Sequence, residues 1–302
     1  EEVRATGASI RLIGDGDGVF WFNWDDNGFI PNMHSDLDYL NRPLPMPNTC
    51  YPNAALLLCT DEVMLSAIKA AGELFLHSGV EAFAKPRKLI VGKDILLDME
   101  QRSITPKLMS ALYPAAWTDG LELEYSMTEN SRLLPPAAYT GSAVEYDNGI
   151  RLDWGNRRGY YRVDRPNAKV FVGFVPEEIR LGDVVFRNLN RDYLLAALIA
   201  LDGKPLRDSA KVTLTLACRS ENTGFKMDLD RFVKPWADGI AEAVTDGGRL
   251  PVIVERVATE IEAPELIGKT IRKYDFARRC YATEVIQNTI RVNADEPLFF
   301  AE

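Results

Sequence analysis

Residues 18–26, with the sequence GVFWFNWDD, form the most strongly patterned stretch of the chain. If this stretch is extended, alternate side chains point to opposite sides, and both sides are largely apolar. That pattern is typical of a strand buried on both faces, as in a parallel sheet covered by helices. The stretch ends in Asp25 and Asp26, followed by Asn27 and Gly28. Ligands of α/β proteins bind at the C-terminal ends of such strands, so these polar groups mark a candidate binding site.

The composition is that of a folded protein with a substantial apolar core. The 302 residues are 46% hydrophobic and 26% charged, which is enough for one or two domains. The net charge of -9 argues against a nucleic-acid partner, because there is no basic excess to neutralise phosphates. No apolar run reaches the ~18 residues that a membrane span requires, so no membrane span is expected. The chain starts with EEVRAT and lacks an initial Met, which predicts a cut or processed end.

Cysteine and histidine are too sparse to indicate a metal site or a histidine-based mechanism. The four cysteines include no CxxC pair, and a disulfide framework is not expected in a chain with this much core. The two histidines are His34 and His77. His77 falls in the last turn of a predicted helix, where it is better explained as a partner of the helix dipole than as a catalyst. No cofactor is predicted.

Residues 1–84 are predicted to form a single βα unit. A long loop rich in Pro, Asn and Asp follows the strand, and a helix follows the loop, with Thr60 as its N-cap and Gly79 just past its end. The predicted apolar stripe of this helix contains Met64, Ala67, Ile68, Ala71, Leu74 and Phe75.

The second half of the chain has the pattern of an antiparallel β-sandwich. Residues 85–137 contain short apolar and alternating pieces such as 88–91 and 121–126 and are interpreted as a connector with short strands. From residue 138 to 302, short strands alternate with turns such as Asp202-Gly203, which indicates an accessory sandwich domain. Its aromatic residues are expected mainly in the core, namely Trp154, Tyr160, Tyr161 and Phe171. The predicted class is therefore α+β, mainly β.

Several segments resemble one family. DGDGVFWFNWDD and GELFLHSGVEAF are similar to the end of the barrel in glycoside hydrolases of the clan A type. Residues 146–174, 197–225 and 247–264 resemble the C-terminal β-sandwich of some bacterial members. The resemblance implies the terminal βα unit of a (β/α)8 barrel followed by a sandwich, in a protein that is secreted or belongs to the cell envelope.

The resemblance also implies a function. Glycoside hydrolases use two carboxylates, which the family carries on the fourth and seventh barrel strands. Because this chain begins after the seventh strand in that comparison, no catalytic residue is assigned, and the chain alone is expected to hydrolyse no glycoside. The eighth strand would form one wall of the sugar site. Trp24 is favoured over Trp21 as a stacking platform because it lies nearer the C-terminal end. The other predicted substrate-binding residues are Asp25, Asp26 and His34.

Two other functions fit the sequence and stay open at this point. One is a stand-alone carbohydrate-binding or scaffolding protein made of the sandwich, and the other is a structural or interaction module with no sugar role. The expected partners are a carbohydrate and, in the enzyme interpretation, a missing N-terminal barrel portion of the same protein. Self-association through the apolar strand 19–24 is also expected, because an uncovered apolar strand needs a partner.

Overall fold

The structure is a computed structural model. It describes residues 62–81, 84–97, 121–132, 143–146, 149–153, 159–176, 178–187, 192–227, 244–246, 249–275, 280–293, 296 and 299–302.

The described residues contain two α-helices, α1 (Glu62–His77) and α2 (Lys93–Leu96). Helix α1 confirms the helix predicted from the apolar stripe, and three stripe residues, Ala67, Ala71 and Leu74, are almost fully buried. The helix ends at His77 as predicted, and Gly79 follows with φ of 68°, a backbone conformation that favours glycine.

Nineteen strands are present in the described residues. The first ten are β1 (Arg87–Val91), β2 (Leu121–Tyr125), β3 (Ala143–Tyr146), β4 (Ile150–Asp153), β5 (Tyr160–Arg165), β6 (Ala168–Phe174), β7 (Ile179–Leu181), β8 (Val184–Arg187), β9 (Tyr193–Ala200) and β10 (Val212–Ala217). The others are β11 (Ser220–Thr223), β12 (Lys226–Met227), β13 (Val244–Asp246), β14 (Arg249–Val254), β15 (Thr259–Glu262), β16 (Thr270–Asp275), β17 (Cys280–Val285), β18 (Thr289–Val292) and β19 (Phe299–Ala301).

Two antiparallel sheets form a sandwich. The large sheet has nine strands in the order β17-β16-β19-β10-β9-β6-β5-β4-β3, and the small sheet has four in the order β18-β15-β8-β7. One cluster of buried side chains, contributed by both sheets, lies between them. These findings establish a mainly β protein with antiparallel sheets, as the strand pattern predicted. The final βα unit of a barrel is not seen in the described residues, whose only parallel pair is β1 with β2.

Helix α1 makes a third layer on the outer face of the large sheet. It packs against β9 and β10, and its residues Val63, Ala67 and Leu74 share a buried cluster with side chains of β4, β5, β6 and β9. A helix with a broad apolar stripe is expected to cover a sheet face in this way. The helix therefore covers part of the outer face at β9 and β10.

Strand β9 shows why the large sheet can be covered on both faces. Its sequence YLLAALIA is buried throughout, and each face carries at least one alanine among larger side chains. Leu194 and Leu198 point into the sandwich, whereas Leu195 and Ile199 point toward α1. Because Ala residues separate the large ones, the small sheet and the helix can both approach the strand closely.

The predicted aromatic core is largely confirmed. Tyr161 and Phe171 are buried, and Tyr160 stacks on Phe171 with ring centroids 5.5 Å apart. Trp154 lies outside the described residues. The strand predictions at 88–91 and 121–126 are confirmed as β1 and β2.

Candidate functional site

Three strands at one end of the large sheet carry aromatic and charged side chains on the outer face. In β16, Ile271 points into the sandwich core, so the alternation of the strand places Arg272 and Tyr274 on the same side of the strand. Strand β17 pairs with β16 so that Tyr281 lies directly opposite Tyr274. On β19, Phe300 packs toward the cluster under α1. The hairpin register thus brings the two tyrosines together beside Phe300.

These side chains line a depression that we call the aromatic groove. Its lining consists of Lys69, Arg272, Tyr274, Tyr281, Phe300, Ala301 and Glu302. The groove has a volume of about 340 Å³, within the range of small-ligand sites. Lys69 comes from helix α1, and the other residues belong to β16, β17 and the C-terminal segment that contains β19. The groove therefore lies between helix α1 and the strands at this end of the large sheet.

The aromatic rings of the groove are held in defined orientations. Tyr274 and Tyr281 make an edge-to-face contact, with centroids 5.2 Å apart and planes at 68°. The guanidinium carbon of Arg272 lies 4.6 Å from the Tyr281 ring centroid. Such contacts contribute roughly 0.5–1.5 kcal/mol each beyond area burial. Tyr281 nevertheless remains 54% exposed, so much of its surface is available to a ligand.

The charges of the groove are paired with one another. Lys69 Nζ donates to Glu73 Oε1 at 2.8 Å and to Thr215 Oγ1 at 3.1 Å. Arg272 forms an ion pair with Glu302. Two cations are thus matched by two carboxylates, and Glu73 is held further by a hydrogen bond from Thr213 Oγ1 at 3.0 Å. A balanced set of charges favours a neutral polar ligand over an anion such as phosphate.

The loop between β9 and β10 borders a second opening, between the two sheets. Asp202 organises this loop by accepting hydrogen bonds from Ser209 Oγ at 2.7 Å and from the backbone N–H of Ala210 and Lys204. The predicted Asp202-Gly203 turn lies in this loop, which connects an antiparallel hairpin as expected. The hydrogen bond from Ser209 is the main reason why the pKa of Asp202 lies below its ordinary value.

The lowered pKa of Asp202 predicts how acid affects stability. Since the folded-state pKa is below the unfolded one, the stabilisation is present above the unfolded value of about 4 and is lost as pH falls through the folded value. We expect Asp202→Asn to lower the melting temperature at neutral pH, with the difference from wild type shrinking in strongly acidic buffer. Melting curves measured from neutral to acidic pH check this. A difference that stays constant with pH would contradict the assignment.

The substrate-binding residues predicted from sequence lie outside the described residues. They are Trp21, Trp24, Asp25, Asp26 and His34, and they stay predictions. His77 is the last residue of α1, and its carbonyl oxygen accepts a hydrogen bond from the Asn167 side chain. That contact involves the backbone and gives the imidazole no catalytic partner.

Sequence reasoning missed the aromatic groove. The signal was present in the sequence, where tyrosines occur at 274 and 281, but only the antiparallel register of β16 and β17 shows that they meet. No sequence pattern marked Arg272 or Phe300 as part of a site, because their neighbours in space come from other strands.

The described residues were also compared with the requirements of a metal site and of a membrane-spanning helix. Within the described ranges, no cluster of three or more His, Cys, Asp or Glu side chains is arranged to hold a metal ion. Of the helices that the structure describes, none has the length and apolar character needed to cross a membrane.

No known protein family, curated protein or solved structure matches the chain.

Proposed function

We propose that the aromatic groove binds a neutral glycan and that the β-sandwich is an accessory carbohydrate-binding domain. The observation that carries this proposal is the pair Tyr274 and Tyr281 on the wall of a groove whose charges are already matched. An apolar ring surface next to polar groups fits a sugar ring, which presents C–H groups on its face and hydroxyls at its edge.

The hydrogen-bonding groups of the groove suit hydroxyl ligands. Arg272 and Lys69 can donate hydrogen bonds, and Glu302 can accept them. Because a sugar hydroxyl both donates and accepts, it can form a hydrogen bond with either kind of group. Because Arg272 is held between Glu302 and the Tyr281 ring, its guanidinium is oriented before a ligand arrives. Such preorganisation lowers the entropy lost on binding.

The wider proposal is that this sandwich serves a glycoside-hydrolase-like enzyme acting on poly- or oligosaccharides. Residues 1–84 would be the last βα unit of its barrel, and Trp24 would form part of the sugar site. The resemblance of residues 146–174 and 197–225 to the family supports this proposal, and both segments contain strands of the sandwich. The alternative is a stand-alone carbohydrate-binding protein, in which the groove is the main site.

The proposal predicts that a neutral polysaccharide retards the protein in affinity electrophoresis. Gels containing soluble cellulose derivatives, xylan, mannan or starch would be compared with a gel lacking glycan. We expect retardation on at least one of them, with Tyr281→Ala weakening binding about tenfold, equivalent to about 1.4 kcal/mol. The expected loss reflects the removal of one exposed aromatic surface.

Tyr125→Ala is the matched control. Tyr125 lies on β2, is 67% exposed and does not line the groove, so its replacement should leave retardation unchanged. Equal retardation of wild type and Tyr281→Ala would contradict the groove as the site. An absence of retardation on every neutral glycan would overturn carbohydrate binding and favour a structural role.

A further inference from the structure

A second cavity opens between the two sheets, on the opposite side of strand β19 from the aromatic groove. We call it the inter-sheet cavity. Its volume is about 320 Å³, and its apolar lining includes Leu198, Val212, Leu214, Leu266, Ile286 and Ile290. Five of these six residues belong to the buried core between the sheets, and Val212 packs against that core. An apolar cavity of about 150 Å³ stays dry and can bind benzene, so this larger space suits an aliphatic ligand.

The mouth of the inter-sheet cavity is polar. Ser209, Lys269, Thr270 and Glu302 contribute to its lining. Lys269 Nζ donates to the backbone oxygens of Leu206 at 2.8 Å and Ser209 at 2.6 Å. Both of these acceptors are neutral, and they use two of the three ammonium protons. The loop between β9 and β10 thus holds a cation at the edge of an apolar space.

No carboxylate within the described part of the chain neutralises Lys269 in a salt bridge. Glu302, the other charged residue of the lining, forms its ion pair with Arg272. The arrangement is therefore cationic at the mouth and apolar inside. It complements a molecule with an anionic head and an aliphatic tail.

We propose that the inter-sheet cavity binds a small aliphatic carboxylate, with its carboxylate on Lys269 and its hydrocarbon tail among the core aliphatic side chains. This proposal does not rest on the proposed glycan function, although the two linings share Ala301 and Glu302. Burial of the tail supplies the apolar contribution to binding. The hydrogen bond between the Lys269 ammonium and the ligand carboxylate supplies selectivity for the anionic head group.

Isothermal titration of the full chain with octanoate tests the proposal, with 1-octanol and octylammonium as probes of the same tail length. We expect saturable binding of octanoate, weaker binding of octanol and the weakest binding of octylammonium. Lys269→Met should weaken octanoate binding about tenfold or more, because it removes a charged hydrogen bond. It should leave octanol binding nearly unchanged, which also shows that the variant is folded.

Lys93→Met is the control, because Lys93 is an exposed residue on α2 and does not line the cavity. Ile290→Phe fills part of the cavity and should weaken octanoate and octanol alike. Equal affinities for octanoate and octanol would overturn the role of Lys269. A lack of saturable octanoate binding, or binding that Lys269→Met leaves unchanged, would overturn the site.

Discussion

Leu195→Ala is expected to lower the free energy of unfolding by about 2–5 kcal/mol, as much as Leu194→Ala. The two leucines are neighbours on β9, and each is at most 1% exposed. Leu194 fills the space between the sheets, whereas Leu195 belongs to the cluster covered by helix α1. Truncating either one removes buried apolar contacts and leaves a cavity in a packed layer.

Urea unfolding followed by circular dichroism measures both effects. Val285→Ala is the control, because Val285 is 51% exposed on strand β17 and its truncation should change stability by less than about 0.5 kcal/mol. If Leu195→Ala behaved like the control while Leu194→Ala remained severe, the helix would not cover the outer face of the sheet. The three-layer arrangement that borders the aromatic groove would then be wrong.

Asp164→Ala is expected to destabilise the protein by about 3 kcal/mol, because it leaves a charged lysine without its partner. Lys169 Nζ lies 2.6 Å from Asp164 Oδ1, and the Lys169 side chain is only 8% exposed. Gly182, in the turn between β7 and β8, lies against this ammonium with φ of 57°. A Cβ at Gly182 would lie 2.8 Å from Nζ, so the glycine makes room for the pair.

A double variant separates the charge effect from packing. Replacing a buried ion pair with apolar side chains is often neutral, so Asp164→Ala combined with Lys169→Met should be more stable than Asp164→Ala alone. The exposed ion pair of Lys88 and Glu122 is the control, and Glu122→Ala should cost at most about 1 kcal/mol. A double variant no more stable than the single one would show that Asp164 acts through packing rather than charge.

The strand β9 shows both the strength and the limit of sequence interpretation. A continuous apolar run, YLLAALIA, just before an Asp-Gly turn is the signal of a strand buried on both faces. Such runs are usual in parallel sheets, yet β9 pairs antiparallel with both neighbours. The apolar run indicates that both faces of the strand are covered, here by a second sheet and a helix. It does not indicate the direction of the strand. The same ambiguity applies to residues 18–26, for which the barrel interpretation stays a prediction.

The alternation of polar and apolar residues predicted many strands and the antiparallel sandwich, and the apolar stripe at helical spacing predicted helix α1. It could not predict the aromatic groove, because Lys69, Tyr281 and Phe300 are far apart in sequence. Their meeting depends on sheet order, in which β19 inserts between β10 and β16. Local pattern gives each strand its two faces, but the order of strands arises from long-range pairing.

Nuclear magnetic resonance with labelled tyrosine and tryptophan rings tests glycan binding most directly. The chain has eleven tyrosines and five tryptophans, so the ring signals can be assigned by substitution. On addition of the neutral glycan that retards the protein, we predict shifts of the Tyr274 and Tyr281 ring signals, with Tyr125 and the buried Tyr161 unchanged. Shifts confined to the indole signals of Trp21 and Trp24 would contradict the groove and place the sugar at residues 18–26.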